Sequence, residues 1–313
     1  MPTLRLGTRG SLLARTQSKW VATELSRLHP GLEIEEILIK TTGDKILDAP
    51  LAKIGGKGLF VKEIEEALLE NKIDFAVHSM KDLPAALASG LFVACIPRRE
   101  DPRDALCTKG PKFDELPKGA RIGTTSLRRK SQLRRLRPDL VIEDLRGNVD
   151  TRLLRLDEGK FDAVILAAAG LSRLSRLSRA TEFFGENQMV PAVGQGALAI
   201  EARAGDEKVL PFLEKLEDPA TRTTTSAERA FLITLQGGCQ VPLAAHAKLA
   251  GNEISMNALV CDLSGERLVR REGRAPASEA EELGRKLAEE ILSAGGREIL
   301  QELYSTAGAE GAP

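Results

Sequence analysis

The 313-residue chain has no excess of either charge: 45 Lys plus Arg stand against 45 Asp plus Glu. A polybasic membrane binder or a general nucleic-acid coat normally carries a basic surplus, so only a local basic patch is left for such a role. Four cysteines, Cys95, Cys107, Cys239 and Cys261, lie far apart. With no C-x-x-C pair, neither a zinc knuckle nor a dithiol redox motif is written. Histidine is scarce, limited to His29, His78 and His246, and no H-E-x-x-H occurs. A G-x-S-x-G elbow and a G-x-x-x-x-G-K-S/T phosphate loop are missing too, which weighs against hydrolase, metalloprotease and P-loop kinase chemistry. No metal site is expected. The first residues lack the apolar run of a signal peptide. The most apolar later stretch, 163–171, falls far short of the ~20 residues that span a bilayer. A reducing cytoplasm is the expected location.

What is present is ordinary for a soluble globular protein: 42% hydrophobic and 29% charged residues. At ~100–200 residues per domain the length predicts two or three domains. Over the first two hundred residues short β-rich runs alternate with helical ones, the pattern of parallel α/β layers. Leu4-Arg5-Leu6 reads as a strand. Ser11 caps a helix to about His29, with Val21, Leu25 and Leu28 on one face. Ile34–Ile39 and Ile73–Val77 read as strands, the Gly55–Gly58 run as a tight turn before a helix with Phe60, Ile64, Ala67 and Leu68, and residues 43–60 as a candidate lid. His78–Pro84 reads as the loop leaving a strand's C-terminal end, where open α/β sheets bind ligands. The rhythm restarts after Asp101-Pro102-Arg103-Asp104. Arg121–Gly123, Leu140–Leu145 and Phe161–Ala167 are strand candidates, and helices are expected to about Leu136 and over Val149–Glu158.

From about Pro219 the style changes. A helix over Thr221–Gln236 ends at Gly237-Gly238. Runs at Ala244–Leu249, Ile254–Val260 and Arg267–Arg271 predict an antiparallel meander. A closing helix starts at Ser278 with a capping box to Glu281, and Gly295-Gly296 interrupts it. The small, polar tail 305–313 is expected to be disordered.

Three segments carry chemistry. Between Arg121 and Arg137 lie seven basic residues and no acidic one. Arg128 and Arg129 fall in a helix's first turn, beside free N–H groups and the hydroxyls of Thr124, Thr125 and Ser126, which suits a carboxylate or phosphate. A solvated helix face is the alternative, and the expected one for Arg134, Arg135 and Arg137. RNA binding is a third option, with few aromatics nearby to stack bases. In His78–Pro84, Lys81 and Asp82 form either a surface ion pair or a catalytic pair in which Asp82 stabilises a cationic transition state. Cys239, following Gly237-Gly238, is either a small buried hydrophobe or an accessible nucleophile and attachment site.

In this order, Thr8–Ala14, Gly55–Phe60, His78–Pro84, Arg99–Asp104, Gly123–Arg129, Leu145–Asn148, Ala169–Leu171 with Arg173, Pro191–Ala197 and Gly237–Pro242 closely resemble the hydroxymethylbilane synthase, or porphobilinogen deaminase, family along the whole chain. The resemblance implies an enzyme that joins four porphobilinogen molecules head to tail and releases ammonia each time. The product grows on a dipyrromethane primer held by a thioether, here to Cys239, and the catalytic carboxylate is Asp82. The match implies that Lys81, Thr124, Ser126, Arg128, Arg129 and Arg152 hold the primer. Arg9, Ser11, Arg146, Arg173 and Gln195 contact substrate. Thr125 stands where the family often has Ser, and the hydroxyl is kept.

The implied fold is α/β, with two periplasmic-binding-protein-like lobes and a small α+β C-terminal domain bearing a three-stranded antiparallel sheet. Residues 1–98 with 198–217 form the lobe that carries the Asp82 loop, and 99–197 the Arg-rich lobe. Residues 218–313 form the domain carrying Cys239. The resemblance implies a monomer that works on a small molecule, without nucleic acid or membrane. A non-enzymatic two-lobe anion-binding module is the competing reading; it leaves Cys239 and Asp82 without a task.

Overall fold

The computed structural model describes residues 2–42, 61–236 and 241–309, the last four by backbone alone. The Gly55–Gly58 turn, Phe60, the 43–60 lid, the Gly237-Gly238 stop, Cys239 and the last four tail residues lie outside the described residues. The chain divides into two compact units, Met1–Glu100 with Ala197–Arg222, and Asp101–Gly196 with Thr223–Pro313.

The first unit opens with β1 (Thr3–Thr8), whose Leu4 and Leu6 are fully buried. Helix α1 (Leu12–Leu28) follows. Ser11 caps it, its Oγ accepting the Ala14 N–H at 3.3 Å. Val21 and Leu25 are buried one turn apart, each worth about 2 kcal/mol of transfer free energy. Next come β2 (Glu33–Leu38), α2 (Lys62–Leu69), β3 (Phe75–Ser79) and β4 (Leu91–Cys95). Strand β3 starts two residues later than expected. Asp74 stays outside it and accepts the Arg5 N–H at 2.7 Å and its guanidinium at 2.8 Å. His78 and Ser79, expected in a loop, complete the strand, and Met80–Asp82 is a single 3-10 turn.

The second unit begins with β5 (Asp104–Thr108), where the sequence pattern shows only a break. It continues through β6 (Arg121–Gly123), α3 (Leu127–Leu136), β7 (Val141–Glu143), α4 (Val149–Asp157), β8 (Ala163–Ala167), α5 (Ala168–Arg173) and β9 (Glu182–Phe183). The chain then returns to the first unit as β10 (Leu198–Arg203) and α6 (Leu210–Glu214). Helix α7 (Pro219–Thr234) runs across the boundary between the units.

The sheets share one plan. Their orders are β2-β1-β3-β10-β4 and β7-β6-β8-β5-β9. In each, three parallel strands are joined by an antiparallel fourth, β10 against β3 and β5 against β8. That fourth strand is the one that has just arrived from the other unit. These are the two α/β lobes.

The C-terminal region adds β11 (Leu243–Ala250), β12 (Glu253–Cys261) and β13 (Leu268–Pro276), an antiparallel sheet. Helix α8 (Ala280–Ile291) covers one face with Leu283, Leu287 and Ile291. The helix lies so close that a Cβ on Gly273 would stand 2.8 Å from Leu283. The expected capping box does not form: Ala277–Glu279 is a 3-10 turn, and Glu279 occupies the cap position without a side-chain bond. After a kink at Gly295 (φ 103°), α9 (Arg297–Ala309) continues. The expected disorder of the tail is thus overturned for residues 305–309, where the helix's own hydrogen bonds outweigh a composition poor in apolar groups.

The three-stranded sheet packs within the second unit, with Val190 against Ala244, Leu259 and Cys261. The arginines expected to be a solvated face take part. Arg134 donates to the Leu263 carbonyl, and Arg135 reaches Gly265 O at 3.4 Å and Glu266 O at 3.3 Å. Arg137 donates to Phe113 O at 3.1 Å and Leu116 O at 2.9 Å. A guanidinium with five donors satisfies loop carbonyls that have no strand partner.

Candidate functional site

Parallel neighbours place their carboxyl ends at one edge, so in each lobe the segments after adjacent strands converge. In the first unit, Arg9 and Ser11 follow β1 and Lys81 and Asp82 follow β3, its parallel neighbour. Asp82 is exposed, and its carboxylate has no hydrogen bond or ion pair among the described residues. Lys81 and Arg9 are half-buried. The Ser11 hydroxyl accepts at the helix cap, which leaves its O–H to donate.

The second unit repeats the device. Thr124 and Ser126 follow β6. Ser126 caps α3, its Oγ accepting the Arg129 N–H at 3.4 Å, and Thr124 Oγ1 accepts the Ser126 N–H at 3.2 Å. Each oxygen accepts here, so each O–H remains to donate, though Thr124 is fully buried. Gly123 is required at this edge because a Cβ there would stand 2.6 Å from Leu145.

Arg128 and Arg129 are each 5% exposed, and Asp104 is 0% exposed. Arg128 Nη1 donates to Asp104 Oδ2 at 2.6 Å and to Val190 O at 2.9 Å. Arg129 holds Asp104 Oδ1 through Nε at 3.0 Å and Nη2 at 2.7 Å, and donates to Ile165 O at 2.8 Å. Gln195 spends its two amide N–H groups on Pro102 O at 2.7 Å and Asp104 Oδ1 at 3.0 Å. Burial opposes the charge on Asp104, but the two guanidiniums outweigh it and hold the carboxyl well below the usual range. Burial also lowers the Arg129 pKa, against the pull of Asp104.

Arg173 Nη2 donates to Gly196 O at 2.8 Å, beside Gln195. Arg146 and Arg152 flank the turn after β7. Gly147 there has φ 105°, and its carbonyl accepts Arg152 Nε at 2.9 Å. The structure therefore gathers Arg128, Arg129 and Gln195 into one buried cluster and places Thr124, Ser126, Arg146 and Arg152 at the same sheet edge. Arg9, Ser11, Lys81 and Asp82 belong to the first unit's edge.

Two residues were missed from sequence. Asp104 is the counter-ion of the cluster, and the only local sign of it was a charged residue opening an apolar run. Glu228 on α7 is fully buried, its carboxylate accepting Gly194 N at 2.7 Å and Ala247 N at 2.9 Å. An acidic residue inside an apolar helix face was the available signal. Among the described residues no His, Cys, Asp and Glu cluster could hold a metal ion, and no helix is long and apolar enough to cross a membrane.

Comparison with known proteins extends over nearly all of this framework. Two family models match, the porphobilinogen deaminase dipyromethane cofactor binding domain over residues 4–211 and the porphobilinogen deaminase C-terminal domain over 222–293. A porphobilinogen deaminase of Syntrophobacter fumaroxidans is 51% identical over 302 residues, 96% of this chain and 98% of that protein. One from Syntrophotalea carbinolica is 53% identical over 304 residues, 97% of this chain and 96% of its own. Among solved structures, the periplasmic VFT2 domain of Bordetella pertussis BvgS aligns over 69% of this chain and 86% of its own, at TM-score 0.41 and 17% identity. With half its residues shared with these relatives across almost its full length, the chain belongs to the porphobilinogen deaminase family.

Proposed function

We propose that this chain joins four porphobilinogen molecules head to tail into the linear tetrapyrrole hydroxymethylbilane, releasing one ammonia per molecule, on a dipyrromethane bound through a thioether to Cys239. Membership of the family supports the reaction, and the state of Asp82 is the observation that carries its chemistry. A carboxylate at the carboxyl edge of a sheet, exposed and with no partner among the described residues, can meet a cation. Loss of ammonia leaves the porphobilinogen ring as an electron-poor azafulvene cation with an acidic pyrrole N–H. Asp82 stabilises that charge and accepts that N–H, an effect worth ~3 kcal/mol of barrier for one preorganised partner.

The residues present fit a dipyrromethane. Its acidic substituents need positive charge, and the buried cluster sets two guanidiniums against one carboxylate. Lys81, Thr124, Ser126, Arg128, Arg129 and Arg152 would hold it, and when bound it supplies the pyrrole carbon to which substrate units are added. Arg9, Ser11, Arg146 and Arg173 take substrate carboxylates through charge-assisted bonds. Gln195, with both N–H groups engaged, acts by aiming Arg128 and Asp104. Residues 218–313 serve as a domain presenting Cys239, and the enzyme works as a cytoplasmic monomer without nucleic acid or membrane.

The test is the intact mass of the protein and of Cys239→Ala, before and after incubation with porphobilinogen. Added mass equal to one dipyrromethane on the parent, and none on the variant, is expected. A parent that stays bare after incubation would favour the anion-binding module instead. Asp82→Ala is expected to fold yet to turn over at least a hundredfold more slowly.

A further inference from the structure

We infer that His78 and Glu201 are a positioning pair that holds the Asp82 turn from inside the first unit; the inference rests on the reading of Asp82 given above. His78 is 6% exposed and Glu201 0%. They sit on neighbouring antiparallel strands, with Glu201 opposite Ala76 and His78 opposite Ala199, so the two side chains meet diagonally on one face. His78 Nε2 lies 3.0 Å from Glu201 Oε2. Neither oxygen of Glu201 has a hydrogen bond among the described residues. In register, the pair's strand neighbours on this face are the buried Ala76 and Ala199.

A lone carboxylate in such a place is costly, and His78 is the partner the fold sets beside it. Apolar residues of similar volume would serve stability as well or better. The pair's position accounts for its presence. His78 precedes the Met80–Asp82 turn by two residues, and Ser79 between them is held on the opposite face by Gln17 Nε2 at 2.8 Å. The turn's first N–H, on Met80, donates to Ala197 O at 3.0 Å, at the start of Glu201's strand.

Beyond Asp82 the chain is tied to the same cluster. Glu65 of α2 accepts the Ala88 N–H at 3.1 Å. Burial pushes the Glu65 carboxyl up, and the charge of Glu201 adds to the rise. Glu65 from α2 thus holds the backbone beyond Asp82, while His78 from β3 and Glu201 from β10 sit side by side on the strands that frame the turn. Together they fix where the Asp82 carboxylate stands.

The experiment uses the dipyrromethane-loaded enzyme carrying Glu201→Gln, with loading checked by intact mass. Expected are unchanged loading, a fall in kcat of tenfold or more, a KM within threefold, and a displaced pH profile of kcat. A kcat per loaded enzyme within twofold of the parent, with only the melting temperature lowered, would overturn the inference. Glu65→Gln, which keeps an oxygen for Ala88, provides the second reading should Glu201→Gln fail to fold. A shifted pH profile of kcat supports the cluster, and a parental profile overturns it. Asp82→Ala run alongside separates the two claims. Near-normal turnover there sinks the role of Asp82 itself, whereas an inactive Asp82→Ala beside a fully active Glu201→Gln sinks the positioning pair alone.

Discussion

Arg129 closes on Asp104 through two donors, Nε at 3.0 Å and Nη2 at 2.7 Å, and neither side chain is more than 6% exposed. Arg128, one residue earlier, takes the other carboxylate oxygen at 2.6 Å. Consecutive helix residues point about 100° apart, so two guanidiniums converge on one carboxylate only because Asp104 sits at the first position of β5, under the start of α3. The cluster is a preorganised positive site whose parts cannot drift independently.

Asp104→Asn is expected to destabilise the protein by about 3–5 kcal/mol, because it leaves two buried guanidiniums without their counter-charge. The loss depends on pH with a definite sign. The folded carboxyl is held below its unfolded value of about 3.9. Its contribution is full above that value and drains as pH falls toward the folded one. Urea unfolding of parent and variant should differ most near pH 6–7 and converge below pH 4; a difference that does not change with pH would show that the ion pair is not its source.

Removal of Glu228 strands two backbone donors at once. Gly194 N–H and Ala247 N–H both end on its carboxylate, from the chain segment beside Gln195 and from β11. Each orphaned donor costs about 1–3 kcal/mol. Glu228→Ala is therefore expected to lose about 4 kcal/mol in urea unfolding, and Glu228→Gln, which keeps one acceptor, about half of that. Equal losses would mean that the charge rather than the two hydrogen bonds supplies the stability.

The elements read from sequence were those whose signals are local. Ser11 with Val21 and Leu25 writes a capped amphipathic helix within eighteen residues. Asn148 writes the next lobe's α4 start in the same way, by accepting the Thr151 N–H at 2.8 Å. Strands β5 and β10 were missed because each carries a buried acid, Asp104 and Glu201, whose partners lie 24 and 123 positions away in sequence. Local alternation treats a charged residue as exposed, and only the returning chain shows otherwise. Arg134 and Arg137 were misjudged for the same reason, since the carbonyls they satisfy belong to distant loops, whereas Arg135 is exposed as expected. The Ser278 box failed where its spacing was correct, because the backbone took a 3-10 turn first. The candidate site residues came from family resemblance, while the counter-ion and braces behind them were visible only in three dimensions.

Gly147 offers a test of the second lobe's edge that leaves every charged side chain in place. Its φ of 105° disfavours any side chain, and a Cβ would stand 2.7 Å from Thr151 Cγ2. Gly147→Ala is expected to strain the turn by about 1–3 kcal/mol, relieved by moving Arg146 and the carbonyl that holds Arg152 Nε at 2.9 Å. The turn is exposed, so global unfolding should change little. If Arg146 takes a substrate carboxylate, KM for porphobilinogen should rise about fivefold to tenfold, with kcat nearly constant, because the lost interaction is felt equally in ground and transition states. The rise should shrink in high salt, where exposed ion pairs are already screened. A KM that does not move would mean that substrate does not touch this turn. Its arginines would then serve only the bound dipyrromethane, and the defect would appear instead as slower loading of Cys239.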